Sequence, residues 1–252
     1  MDFSKRIILI TGAARGIGSA TAKAFAHLGG SVALHYRSSQ KQVQALAQSL
    51  PGGKHAIFQA DISGPDDCER LMAEVMDHYG RLDVLVNNAG IYELKPLGKL
   101  EYCDWQATWK RTLDADLIGP ANLCFLAAKV MMQQKSGHII NISSRGAFRG
   151  EPDAPAYGAA KAGLNQLSQS LAQALAPYNI FVGVVAPGFV RTDMAAVLLD
   201  GPQGEAIRNQ SPLGRVALPE EIAAAVVRLA ADGMLSATGC ILDVNGASYL
   251  RS

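Results

Sequence analysis

Seven short apolar runs, rich in β-branched residues, recur along the chain: 6–11 (RIILIT), 31–36 (SVALHY), 55–61 (HAIFQAD), 82–90 (LDVLVNNAG), 137–144 (GHIINISS), 180–188 (IFVGVVAPG) and 239–246 (GCILDVNG). Runs of this kind read as strands, and stretches between them, such as 17–29 (IGSATAKAFAHLG) and 40–50 (QKQVQALAQSL), carry helical periodicity. Strands alternating with helices need crossover connections, which makes the sheet parallel and covers both of its faces. The pattern therefore predicts an α/β fold, a doubly wound seven-stranded parallel sheet with helices on both faces. Only 192–219, rich in Gly, Pro, Ala and Leu, lacks strand rhythm. It is expected to be a mobile lid or a small helical insert, because long connections in compact domains are usually functional or disordered.

Composition narrows the partner more than the fold. At 252 residues the chain is the right size for one domain spanning 1–252, and 49% hydrophobic with 18% charged residues describes an ordinary globular protein. The net charge is +1 and no basic block occurs, which argues against nucleic acid or an acidic membrane and for a small-molecule partner. The four cysteines (68, 103, 124 and 240) form no CxxC pair, so neither zinc nor disulfides are expected, only reduced buried thiols. The apolar run ahead of Thr11 is too short for a signal peptide or a membrane span, and a cytoplasmic location is expected.

Two motifs carry chemistry. The first strand runs into TGAARGIG, with glycines at 12, 16 and 18 before a helix. Glycine allows a tight turn there and lets backbone N–H groups approach a pyrophosphate, whose charge the helix N-terminus favours. The second motif is YGAAK, which sets Tyr157 and Lys161 four residues apart among small residues. A helix puts i and i+4 on one face, so both can look at one ligand. Delivering a proton near neutral pH requires lowering a tyrosine from about 10 to about 7, roughly 4 kcal/mol. One ammonium ~4 Å away supplies about that much at an effective dielectric of ~20.

With NNAG (87–90), ISS (142–144), APGFVRT (186–192) and PLGRVALPEEIA (212–223) added to these two motifs, the chain resembles the short-chain dehydrogenase/reductase family from end to end. The nearest group is that of the 3-oxoacyl-acyl-carrier-protein reductases. The resemblance implies a Rossmann-type fold, a nicotinamide cofactor and a homotetramer. It also implies Tyr157 as acid/base, Lys161 as the group that binds the nicotinamide ribose and lowers the tyrosine pKa, and Ser144 as the carbonyl-binding serine, at the family spacing of 13 residues before Tyr157. Around the cofactor it implies Gly12, Arg15, Gly16, Ile17 and Gly18 at the phosphates, and Asp61 and Ile62 at the adenine. Asn88, Ala89 and Gly90 are implied at the ribose, with Pro187, Gly188, Val190 and Thr192 at the nicotinamide.

At the end of the second strand, where an acidic residue would bind the 2′-hydroxyl of NAD, stands Tyr36, followed by Arg37, Ser38 and Ser39. With Arg15 in the loop, this favours a 2′-phosphate and hence NADP(H).

Where the family usually has asparagine, this chain has Asp116. The family uses the backbone carbonyl of that residue in a proton relay. Pro120, four residues later, has no N–H, so it either bends a continuous helix or begins a new one. The expected function is NADPH-dependent hydride transfer between nicotinamide and a ketone or secondary alcohol, a 3-oxoacyl thioester or another carbonyl. A sugar or alcohol dehydrogenase and a non-catalytic dinucleotide-binding regulator stand as alternatives. Met194 to Leu199, with Phe148 and Phe189, suggest a substrate with apolar parts. Docking of an acidic carrier protein is weakened, because SLAQALAPY is uncharged and Tyr178 stands where an arginine would be sought.

Overall fold

The computed structural model describes residues 1–251. All seven expected strands form: β1 (Ile7–Ile10), β2 (Ser31–Tyr36), β3 (Ala56–Gln59), β4 (Val84–Asn87), β5 (Gly137–Ile142), β6 (Ile180–Pro187) and β7 (Ile241–Val244). They make one parallel sheet in the order β3-β2-β1-β4-β5-β6-β7. The winding reverses between β1 and β4, and such a switch point leaves a crevice at the carboxyl ends of the strands.

The two-residue period of the strands sorts their apolar side chains between two cores. Ile8, Ile10, Val84 and Val86 join Phe25, Leu34, Phe181 and Val226 on one face. Their alternates Leu9 and Leu85 join Leu71, Leu123, Met131 and Ile139 on the other.

The first face is covered by α1 (Gly16–His27), α2 (Gln40–Ser49) and α10 (Pro219–Leu229). The second is covered by α3 (Pro65–Tyr79), α5 (Gly119–Gln134) and α7 (Pro155–Leu175). Proline opens α3, α7 and α10 in the first turn, where the missing N–H costs nothing. In α10 the Glu221 carboxylate accepts the Leu218 N–H at 2.7 Å, closing the helix start.

The helix α4 (Tyr102–Leu113) runs into α5 without a break through a wide π-turn, Asp114–Ile118, whose end is set by the Gly119 N–H bonding to the Asp114 carbonyl. Pro120 therefore neither starts a separate helix nor breaks this one. The widened turn absorbs its missing donor. A Cβ on Gly119 would lie 2.3 Å from the Ile62 carbonyl, so backbone packs on backbone there. Residues 102–134 are long and apolar enough to cross a membrane by composition, but Leu123, Ala127 and Met131 are buried in the second core.

The expected insert is helical: α8 (Asp193–Leu199) and α9 (Gly204–Arg208) follow the short α6 (Gly146–Arg149) in chain order, and a bridge between Val190 and Ala217 closes the base of the insert. Of the four cysteines, Cys68 and Cys124 are buried, as expected, but Cys240 is only half-buried and Cys103 is exposed.

His35 interrupts the apolar run of β2 for a structural reason. Its buried ring accepts the Gly12 N–H at Nδ1 (3.1 Å) and donates from Nε2 to the Ala60 carbonyl (3.0 Å), so it is neutral and ties three strand ends together. Burial holds its pKa below the ordinary value, and it pushes His138 down to about 4. The unfolded chain thus binds more protons below about pH 6.5, and stability is lost as the pH falls through that range. His35→Leu leaves a buried donor and acceptor unpaired, so it should cost about 1–3 kcal/mol. It should also flatten the acid limb of stability, read as thermal melting between pH 4.5 and 7.5.

Candidate active site

The glycine loop leaves β1 and is clamped from both sides. Thr11 Oγ1 accepts the N–H groups of Asn88 (2.9 Å) and Ala89 (3.0 Å), while the Asn88 side chain donates to the carbonyls of Thr11 (2.8 Å) and Gly12 (3.2 Å). Gly12 and Gly16 adopt φ of +64° and +54°, a region costly for other residues. A Cβ on Gly18 would fall 2.3 Å from the Gly12 carbonyl, so the start of α1 lies directly on the loop. The resulting cradle of backbone at a helix N-terminus fits a pyrophosphate.

Arg15 and Arg37 are exposed near this end of the sheet, and Arg37 is held only loosely, 4.0 Å from Asp61. Asp61 itself accepts from the Ser63 N–H (3.1 Å) and hydroxyl (2.7 Å). Ile62, Val190 and Tyr36 point their side chains into the cores, so only their backbones can face a ligand. Thr192 lies against Gly16, where a Cβ would come 3.1 Å from its methyl group.

Tyr157 and Lys161 sit on the first two turns of α7, beside the end of β5. The small residues between and beyond them are used by neighbours. Gly163 admits Leu117 of the π-turn, whose methyl would lie 3.0 Å from a Cβ, and Gly158 admits the Gly146 carbonyl at 3.4 Å.

The Lys161 ammonium is buried. It donates to the Ile142 carbonyl at 3.1 Å and faces the Asp116 carboxylate at 3.7 Å. Asp116 is fully buried. One of its oxygens accepts the Ile91 N–H at 2.8 Å, and the other has no hydrogen-bond partner. Burial pushes its carboxyl above the usual range, with Lys161 opposing.

The family resemblance implies that Lys161 lowers the tyrosine pKa, and in the free chain that effect is overridden. Burial pushes the Tyr157 phenol above its ordinary value, the Asp116 carboxylate pushes it further, and the Ser144 hydroxyl pulls it back. The ammonium stands 5.6 Å from the ring centroid, and the Asp116 carboxylate 3.7 Å from it offsets its charge.

Ser144 follows β5, its hydroxyl accepting the Gly146 N–H at 3.0 Å, while Ser143 is turned inward to the Lys161 carbonyl at 3.2 Å. Tyr92 meets Tyr157 edge to face, with ring centroids 4.9 Å apart. The residues Tyr92, Glu151 and Arg145 complete this side, and no motif in the sequence marks them. Pro187 and Gly188 close the end of β6, with Gly188 packed on Asn245. On the insert, Leu199 is buried but Met194 and Val197 stay exposed, so the apolar stripe is only partly packing.

The family model described as enoyl-(acyl carrier protein) reductase matches residues 12–247. A 3-oxoacyl-(acyl-carrier-protein) reductase of Synechocystis is 37% identical over 248 residues, covering 97% of each chain. The chain belongs to the short-chain dehydrogenase/reductase family. The Staphylococcus aureus 3-oxoacyl-(acyl-carrier-protein) reductase FabG is 36% identical over 96% of this chain and 97% of its own. Among solved structures, a dehydrogenase/reductase from Sinorhizobium meliloti superposes with a TM-score of 0.90 at 31% identity, over 99% of this chain and 97% of that one. A putative gluconate dehydrogenase from Agrobacterium tumefaciens gives 0.91 at 29% identity, over 98% and 97%.

The chain is thus a short-chain dehydrogenase/reductase, an oxidoreductase acting between CH–OH and carbonyl groups with a nicotinamide dinucleotide. Asp116→Asn removes the carboxylate behind Lys161 and leaves the ammonium's field to act on Tyr157. The apparent pKa of the tyrosine should fall by about one unit or more. Phenolate absorbance and the pH profile of turnover should shift together, and turnover should stay far above that of Tyr157→Phe.

Proposed function

We propose that this short-chain dehydrogenase/reductase is an NADPH-dependent reductase of ketones, running reversibly on secondary alcohols. Tyr157 gives the proton to the carbonyl oxygen, Ser144 holds that oxygen, and Lys161 binds the nicotinamide ribose. The observation that carries the reading is the buried Lys161 ammonium, held at 3.1 Å by the Ile142 carbonyl, two residues before Ser144, and 5.6 Å from the ring centroid of Tyr157 on the same helix face. The nicotinamide supplies the hydride. The protein's own part is to fix the carbonyl, deliver one proton to the developing alkoxide and keep water from it.

Asp116 acts through its side chain as a proton-holding partner of Lys161, not only through the backbone. Its oxygen without a hydrogen-bond partner faces the ammonium.

Arg37, Ser38 and Arg15 bind the 2′-phosphate of NADPH, and Gly12, Gly16, Ile17 and Gly18 bind the pyrophosphate. Asp61 and Ile62 meet the adenine, Asn88, Ala89 and Gly90 the ribose, and Pro187, Gly188, Val190 and Thr192 the nicotinamide. Ile62 and Val190 contribute through the backbone.

The names of the curated relatives point to 3-oxoacyl thioesters, while one structural neighbour is named for a sugar acid. Self-association into a homotetramer is supported by exposed Ile118 and Phe125 on the π-turn and α5, and by exposed Leu242 and Leu250 beside the open edge at β7. A cytoplasmic enzyme without membrane or nucleic-acid partners is the matching cellular role.

NADPH oxidation at 340 nm over a panel of acyl thioesters, ketones and oxo acids tests the activity. Tyr157→Phe should remove it while NADPH binding persists, and a panel with no turnover but tight NADPH binding would instead favour a regulator. Arg37→Asp should lower the NADPH to NADH ratio of kcat/KM by about 10–100-fold, the value of a charge-assisted phosphate contact. An unchanged ratio refutes the assignment.

A further inference from the structure

Arg145, the residue after Ser144, is 4% exposed, and its guanidinium is among the least expected groups in this site. A buried cation normally has a carboxylate beside it. Arg145 has only neutral acceptors, Gln210 Oε1 at 2.5 Å and Ser248 Oγ at 2.7 Å, and it lies over the Phe189 ring at 5.0 Å. A second guanidinium converges on the same atom, since Arg149 donates to Gln210 Oε1 at 3.4 Å.

Among the described residues neither arginine forms an ion pair. Their cationic neighbours Arg215 and Arg251 do, with Glu221 and Asp243 at 2.7 Å each. Glu151 attracts Arg145 through space without reaching it, and burial pushes that carboxyl above its ordinary range, which weakens it as a counterion. Burial and the charge of Arg149 lower the Arg145 pKa while Glu151 opposes them from a distance, and the hydrogen bonds of the guanidinium all go to neutral groups.

Position makes this a ligand question. The Arg145 N–H is fixed to the Pro187 carbonyl at 2.8 Å, at the carboxyl edge of the sheet, where such folds bind ligands. Gln210 belongs to the insert and Ser248 to the turn after β7, so the guanidinium is reached from the covering segments. It forms part of the wall of a cavity of about 680 Å³ together with Phe189, Ser211, Asn245 and Ser248. Ser144 and Tyr157 do not line that cavity, and Arg145, the residue after Ser144, is where its wall adjoins them.

We infer that Arg145 and Arg149 form an anion subsite for a carboxylate on the substrate, so that the preferred substrate is a free oxo acid rather than a neutral ketone or thioester. The inference rests on the reductase reading above and narrows its substrate. The carboxylate would displace Gln210 from the two guanidinium groups and supply the charge they lack, in bidentate contact with Arg145. The carbonyl of the same molecule would reach Ser144, one residue away along the chain.

The test uses straight-chain oxo acids with the ketone one to four carbons from the carboxylate, each beside its methyl ester, with the N-acetylcysteamine thioester of 3-oxobutanoate as the neutral reference. In the wild type, at least one acid should exceed its ester in kcat/KM by about 10-fold or more, expressed in KM. Arg145→Met and, separately, the exposed Arg149→Gln should bring that ratio toward one, with circular dichroism and melting temperature confirming the fold.

The idea is overturned if every ester matches its acid in the wild type, if the thioester surpasses all the acids, or if the ratio survives both substitutions. Where neither member of any pair is turned over, the acids should still raise the melting temperature of the NADP+ complex more than their esters do. Equal shifts overturn the subsite. Loss of the reductase reading looks different, because it would show as no turnover of any carbonyl compound, whatever its charge.

Discussion

Burying the ammonium of Lys161 is the constraint on which the rest of the site depends. An ammonium removed from water is tolerated only with close partners of opposite polarity. Here they are the Ile142 carbonyl at the end of β5 and the carboxylate of Asp116 in the π-turn. Those two contacts join the sheet, the α4–α5 helix and α7, and so fix the face of α7 that carries Tyr157. The π-turn is part of the same arrangement. Gly119 lets it press on the Ile62 backbone, and the carboxylate it presents also holds the Ile91 N–H just beyond Gly90.

The second anchor is at the crevice between β1 and β4. There the Thr11 hydroxyl, the Asn88 amide and the His35 ring satisfy the backbone groups that the strand ends leave free. The clamp fixes the loop at the start of α1, where no side chain caps the first N–H groups of the helix. Rigidity on the chain's side is what makes such a cradle selective, since little is left to order when the ligand arrives.

An aspartate in place of the family's asparagine changes the electrostatics more than the shape. Both side chains could accept the Ile91 N–H, but only a carboxylate offsets the charge of the lysine. The tyrosine of this chain therefore starts from a higher pKa than a lone lysine beside it would give.

The strand pattern, the glycine loop and the YGAAK turn were legible in the sequence because each is local. An apolar run of four to eight residues buried on both faces, a loop that only glycine can close and an i, i+4 pair need no knowledge of what lies elsewhere. Family membership followed from the order of these motifs along the chain. The tertiary structure decided what depends on groups far apart in sequence: that Pro120 is absorbed in a π-turn, that Asp116 meets Lys161, and that His35 and Asn88 serve the glycine loop. It also decided that Arg145, one of many arginines in the sequence, is a buried cation with no carboxylate in contact. Charge and burial are sums over neighbours, and a one-dimensional pattern names the residues without saying which of them will be neighbours.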